Sequence, residues 1–213
     1  MEKGDFIVID YIARLKENDR VFDVTSEEVA RAEGIWKKDA KYKPSTIIVG
    51  AGHVIRGLDD VLLDIEVGET RTVEIAPEAG FGKRDRRLVV IVPLREFRRH
   101  NMFPRPGVKI EINGKWATVR SVSSGRVTLD FNHPLAGKFL GYEVKVNEKI
   151  EDTSKKVEAL FEILGLVFPF TYENNILSVS LRDVKPGSED ALKKLLEEEI
   201  KKYVPEISQI TFE

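Results

Sequence analysis

The chain has no cysteine among its 213 residues, so neither disulfides nor thiolate chemistry supports its fold or its function. Histidine occurs only three times, as His53, His100 and His133, far apart and without ligand spacing, so no metal site is expected. No stretch approaches the roughly 20 apolar residues that a membrane span needs. The opening "MEKGDFIVIDY" is acidic and enters a strand at once, unlike the charged-then-apolar layout of a signal peptide, and the expected compartment is the cytoplasm. Neither sign of charge dominates: 34 basic against 36 acidic residues leave a net charge of -2. That balance argues against a dedicated nucleic-acid binder and against a polybasic membrane anchor.

What is present is enough for real cores, with 42% hydrophobic residues, so a globular chain is expected. Charged residues reach 33% and glutamine appears once, at Gln209. A surface rich in Glu, Lys and Arg with few thermolabile residues fits a thermophile, where ion-pair networks gain weight.

The pattern divides the chain into three. Phe6–Leu15 and Val21–Val24 read as a hairpin around Glu17, Asn18 and Asp19. Thr25 is predicted to cap the short helix "SEEVARAEG", with Glu28 completing a capping box. "STIIVG" is a further strand. Val54, Ile55, Leu58, Val61, Leu62 and Ile65 then trace the apolar face of one helix that starts near Gly57 and closes at Gly68. "ETRTVEIA" follows as a strand, and a single helix on an antiparallel sheet is an α+β arrangement.

After Gly82 come short strands, "LVVIVP", Val108–Ile112, Lys115–Val122 and Arg126–Phe131, with hairpin turns at Asn113-Gly114 and Ser124-Gly125. They read as a small all-β unit. "NHPLAG" breaks the pattern, and "YEVKVNEKI" is one more strand. From Asp152 the pattern is helix, strand, helix, strand: Thr153 is predicted to cap "SKKVEALFEILG", "ILSVSLRDV" is a strand, Pro186-Gly187-Ser188 opens "EDALKKLLEEEIKKY", and "ISQITF" closes an α/β module.

Between Val49 and Gly82 runs "VGAGHVIRGLDDVLLDIEVGETRTVEIAPEAGFG", rich in glycine and apolar residues but without a nucleophile–base pair. It closely resembles the signature of FKBP-type peptidyl-prolyl isomerases, and "DYIARLKENDRVFDVT" resembles their first hairpin, ending in Phe22-Asp23. "LVVIVPLREF" through "NHPLAGKFLGYEVKV" is similar to the SlyD-like branch, which carries an insert-in-flap domain. The tail resembles that of long-type archaeal FKBPs; the metal-binding His- and Cys-rich tail of SlyD itself is missing.

The resemblance implies an FKBP-type antiparallel sheet wrapped on one short helix at residues 1–84 and 133–151. It also implies an insert-in-flap chaperone domain at 85–132 and a C-terminal α/β domain at 152–213. It implies a cofactor-free isomerase whose pocket is formed by Tyr11, Phe22, Asp23, Val54, Ile55, Leu58, Phe81 and Tyr142, with the Ile55 backbone N–H holding a substrate carbonyl. Phe81 stands where many relatives have tyrosine, and Leu58 where many eukaryotic members have tryptophan. Val90, Val92, Phe97, Met102 and Phe103 of the insert are expected to hold unfolded or nascent polypeptides containing proline.

Alternatives stay open. A holdase with weak isomerase activity is one. The basic "KRDRR" and "REFRRH" segments read either as a solvated face or as a contact for an acidic client or ribosomal RNA. The apolar "ALFEILGLVFPF" reads either as the tail's own core or as a self-association surface, from which a homodimer through residues 153–213 is expected.

Overall fold

The structure is a computed structural model and describes residues 1–182, 187 and 189–213. In chain order the elements are β1 (Phe6–Leu15), β2 (Val21–Val24), α1 (Glu27–Ala32), β3 (Ser45–Ile48), α2 (Arg56–Leu62) and β4 (Thr70–Ile75). Then follow β5 (Val89–Pro93), α3 (Leu94–Arg99), β6 (Lys109–Ile112), β7 (Lys115–Ser123), β8 (Arg126–Asp130) and β9 (Leu140–Ile150). The last are α4 (Thr153–Ile163), β10 (Phe170–Glu173), β11 (Ile176–Val179), α5 (Glu189–Tyr203) and β12 (Gln209–Phe212). They form two compact units, residues 1–74 with 141–213, and residues 75–140.

The first unit is built on a five-stranded sheet in the order β2-β1-β9-β4, with β3 also paired to β1. Alternation along β1 sends Ile7, Ile9, Tyr11 and Ala13 to one face and Phe6, Val8, Asp10 and Ile12 to the other. Register carries the same division onto β3, where Ile47 pairs with Ile7 and Ile48 with Phe6. Helix α2 buries Leu58 and Leu62, and Ile65 beyond it is also fully buried.

The face bearing Phe6 and Ile48 is covered by the C-terminal segment. Phe6, Val8, Ile48 and Ile150 share one hydrophobic cluster with Val157, Leu160, Phe161, Leu177 and Leu196. Helix α4 presents Val157, Leu160 and Phe161 at i, i+3 and i+4, and Phe161 meets Phe170 and Phe168 edge-on at 5.6 and 6.3 Å. The tail expected to stand as its own domain from residue 152 therefore shares its core with β1 and β3. The apolar run Leu160–Phe170 packs into that core, with Val167 left at 93% exposure.

In the tail sheet, β10 pairs antiparallel to β11 and β11 runs parallel to β12. Asn174 and Asn175, at φ 51 and 62, make the turn between β10 and β11. The expected strand "ILSVSLRDV" is a strand only over Ile176–Val179; Asp183, Val184, Pro186 and Ser188 lie outside the described residues.

The second unit holds an antiparallel sheet in the order β5-β8-β7-β6. Its turns fall at Asn113-Gly114 and Ser124-Gly125, all four residues at positive φ. Val119, Val127 and Leu129 are buried, and α3 lays Phe97 against them. That helix is six residues long, too short to show a period in the sequence.

Two caps differ from expectation by one residue. Ser26, not Thr25, caps α1 by accepting from Val29 N–H, because Thr25 is occupied with Asp10 and Tyr11. Asp152, not Thr153, caps α4: its carboxylate accepts from Lys155 N–H at 2.9 Å.

Candidate functional site

Strand pairing between β1 and β2 slips at a β-bulge. Ala13 faces Asp23 while Arg14 faces Val21, which leaves Phe22 as the extra residue. A bulge re-aims side chains that strict alternation would separate. Phe22 thereby meets Tyr142 of β9 edge-on, with ring centroids 6.3 Å apart, while Asp23 accepts a hydrogen bond from the Tyr11 hydroxyl at 3.0 Å. Tyr11 and Tyr142 stand 6.0 Å apart, tilted by 45°. Tyr11, Phe22 and Asp23 of the first hairpin thus form one cluster with Tyr142, which is distant from them in sequence.

Both phenols are held in the protonated form. Burial pushes the Tyr11 hydroxyl well above the ordinary tyrosine value, and the Asp23 charge adds to it; Tyr142 shifts the same way for the same two causes. The cluster is a neutral aromatic wall with one carboxylate at its rim, since Asp23 itself is exposed.

Val54 and Ile55 lie just before α2, and both are half-buried. Ile55 is the helix N-cap, at φ -60 and ψ 145, and its carbonyl accepts from Leu58 and Asp59 N–H. Its own N–H has no acceptor among the described residues, so a donor stands at the helix start. Leu58, 1% exposed, is buried behind it.

The segment leading to Ile55 is fixed by a residue that the sequence reading passed over. Asp59, on α2 and 8% exposed, accepts from Gly50 N–H at 2.8 Å and from Gly52 N–H at 3.1 Å. Gly50 and Gly52 sit at φ +76 and +77, where a side chain would strain the turn. His53 adds a third tie: its Nδ1 accepts from Ile48 N–H at 3.1 Å, and burial keeps the ring below the ordinary histidine pKa. The signal for Asp59 was faint, one of two adjacent carboxylates beside Leu58 in "RGLDDVL", and periodicity weighs only apolar positions.

Phe81 belongs to the second unit, where its ring stacks on His133 at 4.4 Å with 5° between planes. His133 shapes the turn as expected, its Nδ1 accepting from Leu135 N–H and its carbonyl from Ala136 N–H. Its sequence gave no hint of the stacking on Phe81.

Of the insert residues expected to hold polypeptide, Phe103 is 77% exposed and Val90 41% exposed. Phe97 is buried to 2%, and Val92 and Met102 pack against the same core, so these three hold the insert together. Ile91 at 61% and Trp116 at 64% are exposed apolar residues that were not anticipated. Strand alternation puts Ile91 beside Thr128, and Trp116 beside Glu111, on the outward face of the sheet. Among the described residues no group of His, Cys, Asp and Glu could hold a metal ion.

An aromatic cluster with a free backbone donor and no nucleophile suits a reaction in which no covalent bond is made. The family comparisons agree. Residues 1–95 match the model for FKBP-type peptidyl-prolyl cis-trans isomerase, and residues 90–135 match the model for FKBP26, IF domain. The chain is 40% identical over 148 residues to the short-type peptidyl-prolyl cis-trans isomerase of Methanocaldococcus jannaschii, covering 70% of this chain and 93% of that protein. It is 34% identical over 107 residues to the FKBP-type isomerase SlyD of Helicobacter pylori, covering 49% of this chain and 58% of that one. With the FKBP-type 16 kDa isomerase of Escherichia coli it shares 28% over 131 residues, 59% of this chain and 82% of the relative. The chain belongs to the FKBP-type peptidyl-prolyl cis-trans isomerase family and is an enzyme of that class. No helix among the described residues is long and apolar enough to cross a membrane.

Proposed function

We propose that the enzyme rotates X–Pro bonds in unfolded or nascent polypeptides at a site formed by Tyr11, Phe22, Asp23, Val54, Ile55, Leu58 and Tyr142. Phe81 is included on its sequence motif. The observation that carries this reading is the packing of Phe22 and Tyr11 about Tyr142, with Asp23 held at the rim by the Tyr11 hydroxyl. Rotation about a prolyl amide is slow because twisting breaks its resonance, at a barrier near ~20 kcal/mol. An apolar wall strips water from the amide and favours the twisted form, whose resonance charge is lost. The Ile55 N–H holds a neighbouring carbonyl so that the bond turns against a fixed point.

The insert serves as the holder of client chains, which raises the effective concentration of their prolines at the site. Its exposed Ile91, Phe103 and Trp116, and the free edge of β5, support this role. A protease-free assay on a short proline peptide, run beside refolding of a proline-limited protein, tests both parts. Replacing residues 86–131 with a short turn should leave the first rate largely intact and slow the second sharply. Equal losses in both would overturn the holding role, and an inactive full-length protein would leave a holdase.

RNA binding by the insert draws less support. Arg87 pairs with Asp85, Arg95 and Arg99 with Glu96, and Arg84 and Arg120 with Asp130. A flat salt dependence of RNA affinity would remove it. Pairing of two copies through residues 153–213 rests on the open edges of β10 and β12, with Val167 and Ile176 exposed. Light scattering that shows a monomer at high micromolar concentration would overturn it. We place the enzyme in the cytoplasm, where a chain without cysteine has no need of an oxidising compartment.

A further inference from the structure

Beside the aromatic cluster, on the outer side of β2, lies a groove of about 470 Å³. The loop between α1 and β3 closes it from the far side. That loop is folded back firmly: Ile35 and Tyr42 pack on Val21, Val24 and Ala30, and the Tyr42 hydroxyl accepts from Lys37 N–H at 2.9 Å. Trp36 on the groove wall is held by an indole N–H bond to Glu27 at 3.0 Å and by the Arg31 guanidinium 4.2 Å above its ring. The opposite wall is Phe22 and Asp23, the same two residues that the bulge aims at the prolyl site. The groove therefore adjoins the aromatic cluster through these two shared residues.

The charges are one-sided. Arg20, Lys37 and Lys41 line the groove, and none has a carboxylate within ion-pair distance among the described residues. Cations close to the groove on the same elements are engaged instead: Arg14 with Glu33 and Asp19, and Arg31 with Glu27. Asp23 is the one acid on the lining, and its carboxylate already accepts from Tyr11 and from Val24 N–H. Three cations without an ion pair around one aromatic groove, facing a single acid that is already hydrogen-bonded, give the groove a local positive excess that an anionic ligand would complement.

We propose that this groove is a subsite for acidic residues flanking the proline of a substrate chain, so that the enzyme favours prolines set in acidic sequence. The proposal rests on the isomerase reading of the neighbouring cluster. Carboxylates of the bound chain reach Lys37, Lys41 and Arg20, while its backbone and apolar carbons lie along Trp36 and Phe22. Exposed pairs of this kind contribute modestly each, so the expected discrimination is about three- to tenfold, and salt should erode it.

The full chain carrying Trp116→Phe keeps Trp36 as its single tryptophan, since the protein has two. Its fluorescence is titrated with three proline peptides that differ only in flanking Glu, Gln or Lys. The expected order of affinity is Glu, Gln, Lys, with the gap closing at high salt. In Lys37→Gln/Lys41→Gln, the Glu peptide should fall to the Gln peptide. Equal affinities at low salt would overturn the proposal, and so would an oligonucleotide that binds the groove more tightly than the Glu peptide. The same peptides in the isomerisation assay separate the two readings. Turnover without preference counts against the groove, whereas a binding preference without turnover counts against the isomerase site and leaves the groove standing.

Discussion

Asn132 and Asp85 hold each other by two reciprocal hydrogen bonds: Asp85 N–H donates to Asn132 Oδ1 at 2.8 Å, and Asn132 Nδ2 donates to the Asp85 carbonyl at 2.9 Å. A side-chain amide here substitutes for a backbone pair and clamps the two ends of the inserted sheet. Asn132→Ala should lower the stability of the second unit by about 1–2 kcal/mol, since each partner is left without its bond. Hydrogen exchange should show faster opening over residues 85–132, with β1, β3 and α4 unchanged. Uniform loosening of the whole chain would contradict the clamp.

The clamp continues into a buried carboxylate. Asp130 is 5% exposed and accepts from the Asn132 side chain at 2.8 Å and from Arg120 Nε at 2.9 Å, with Arg84 on the same oxygen as Arg120. Burial works against its ionisation, but the bonds from Asn132 and Arg120 hold it below the ordinary aspartate value of 3.8. A depressed pKa contributes stability that is present above 3.8 and lost as pH falls through the lower folded value. The insert of the wild type should therefore loosen on acidification below about pH 4. Asp130→Asn should be less stable at neutral pH and flatter in its acid response, as followed by Trp116 fluorescence in a Trp36→Phe background.

At the prolyl site, aromatic packing should outweigh charge. Phe81→Ala is expected to lower kcat/KM at least tenfold, about 1.4 kcal/mol of transition-state stabilisation, and Asp23→Ala by less. A folded Phe81→Ala enzyme with unaltered activity would remove Phe81 from the site. The raised phenol pKa of Tyr11 fixes the alkaline side. Its contribution is fully present below the ordinary value of 10 and lost only as pH rises through the higher folded value. Activity should accordingly stay level from pH 7 to pH 10 as far as Tyr11 and Tyr142 govern it.

Asp59 should act as a positioning residue for Ile55. Asp59→Ala frees two loop amides and should cost about 2–3 kcal/mol. Asp59→Asn keeps the shape and part of the bonding and should recover much of it. If the loop orients the Ile55 N–H, kcat/KM at a temperature where both variants are folded should track the same order. Equal activity in folded Asp59→Ala would restrict the residue to stability.

The tail is expected to be indispensable to the folded core of this chain. Truncation after Glu151 would bare Phe6 and Ile48, each 0% exposed in the intact protein, and break the Lys43–Glu162 pair. Two such side chains returned to water cost about 3–6 kcal/mol. The truncated chain should melt well below the full protein and bind a hydrophobic dye. An undiminished melting temperature would show that the cluster contributes nothing.

Much of this fold was legible because strands announce themselves by alternation: β1, β2 and the turns at Asn113-Gly114 and Ser124-Gly125 fall where the pattern puts them. The motif from Val49 to Gly82 led to the family before any geometry. What the pattern could not carry was partnership. Nothing in "VFD" marks a bulge, since a bulge is a property of two strands. Nothing in "ALFEILGLVFPF" says whether its partner is a second copy or the far face of β1. Phe97 and Phe103 look alike as letters, yet one is buried beneath the insert sheet and the other stands in water.

The order of strands also sets a timetable for synthesis. Strand β9 sits between β1 and β4, so the central sheet cannot close until about residue 150 has left the ribosome, and Phe6 waits longer still for α4 and α5. Residues 75–140, being contiguous, can reach their compact state earlier. The first strand made is thus among the last to be covered, and the segment proposed to hold other chains is complete while its own enzyme is still unfinished. Contacts this distant slow folding, and a newly made molecule spends that interval with β1 uncovered in the same chain as the insert proposed to hold other chains.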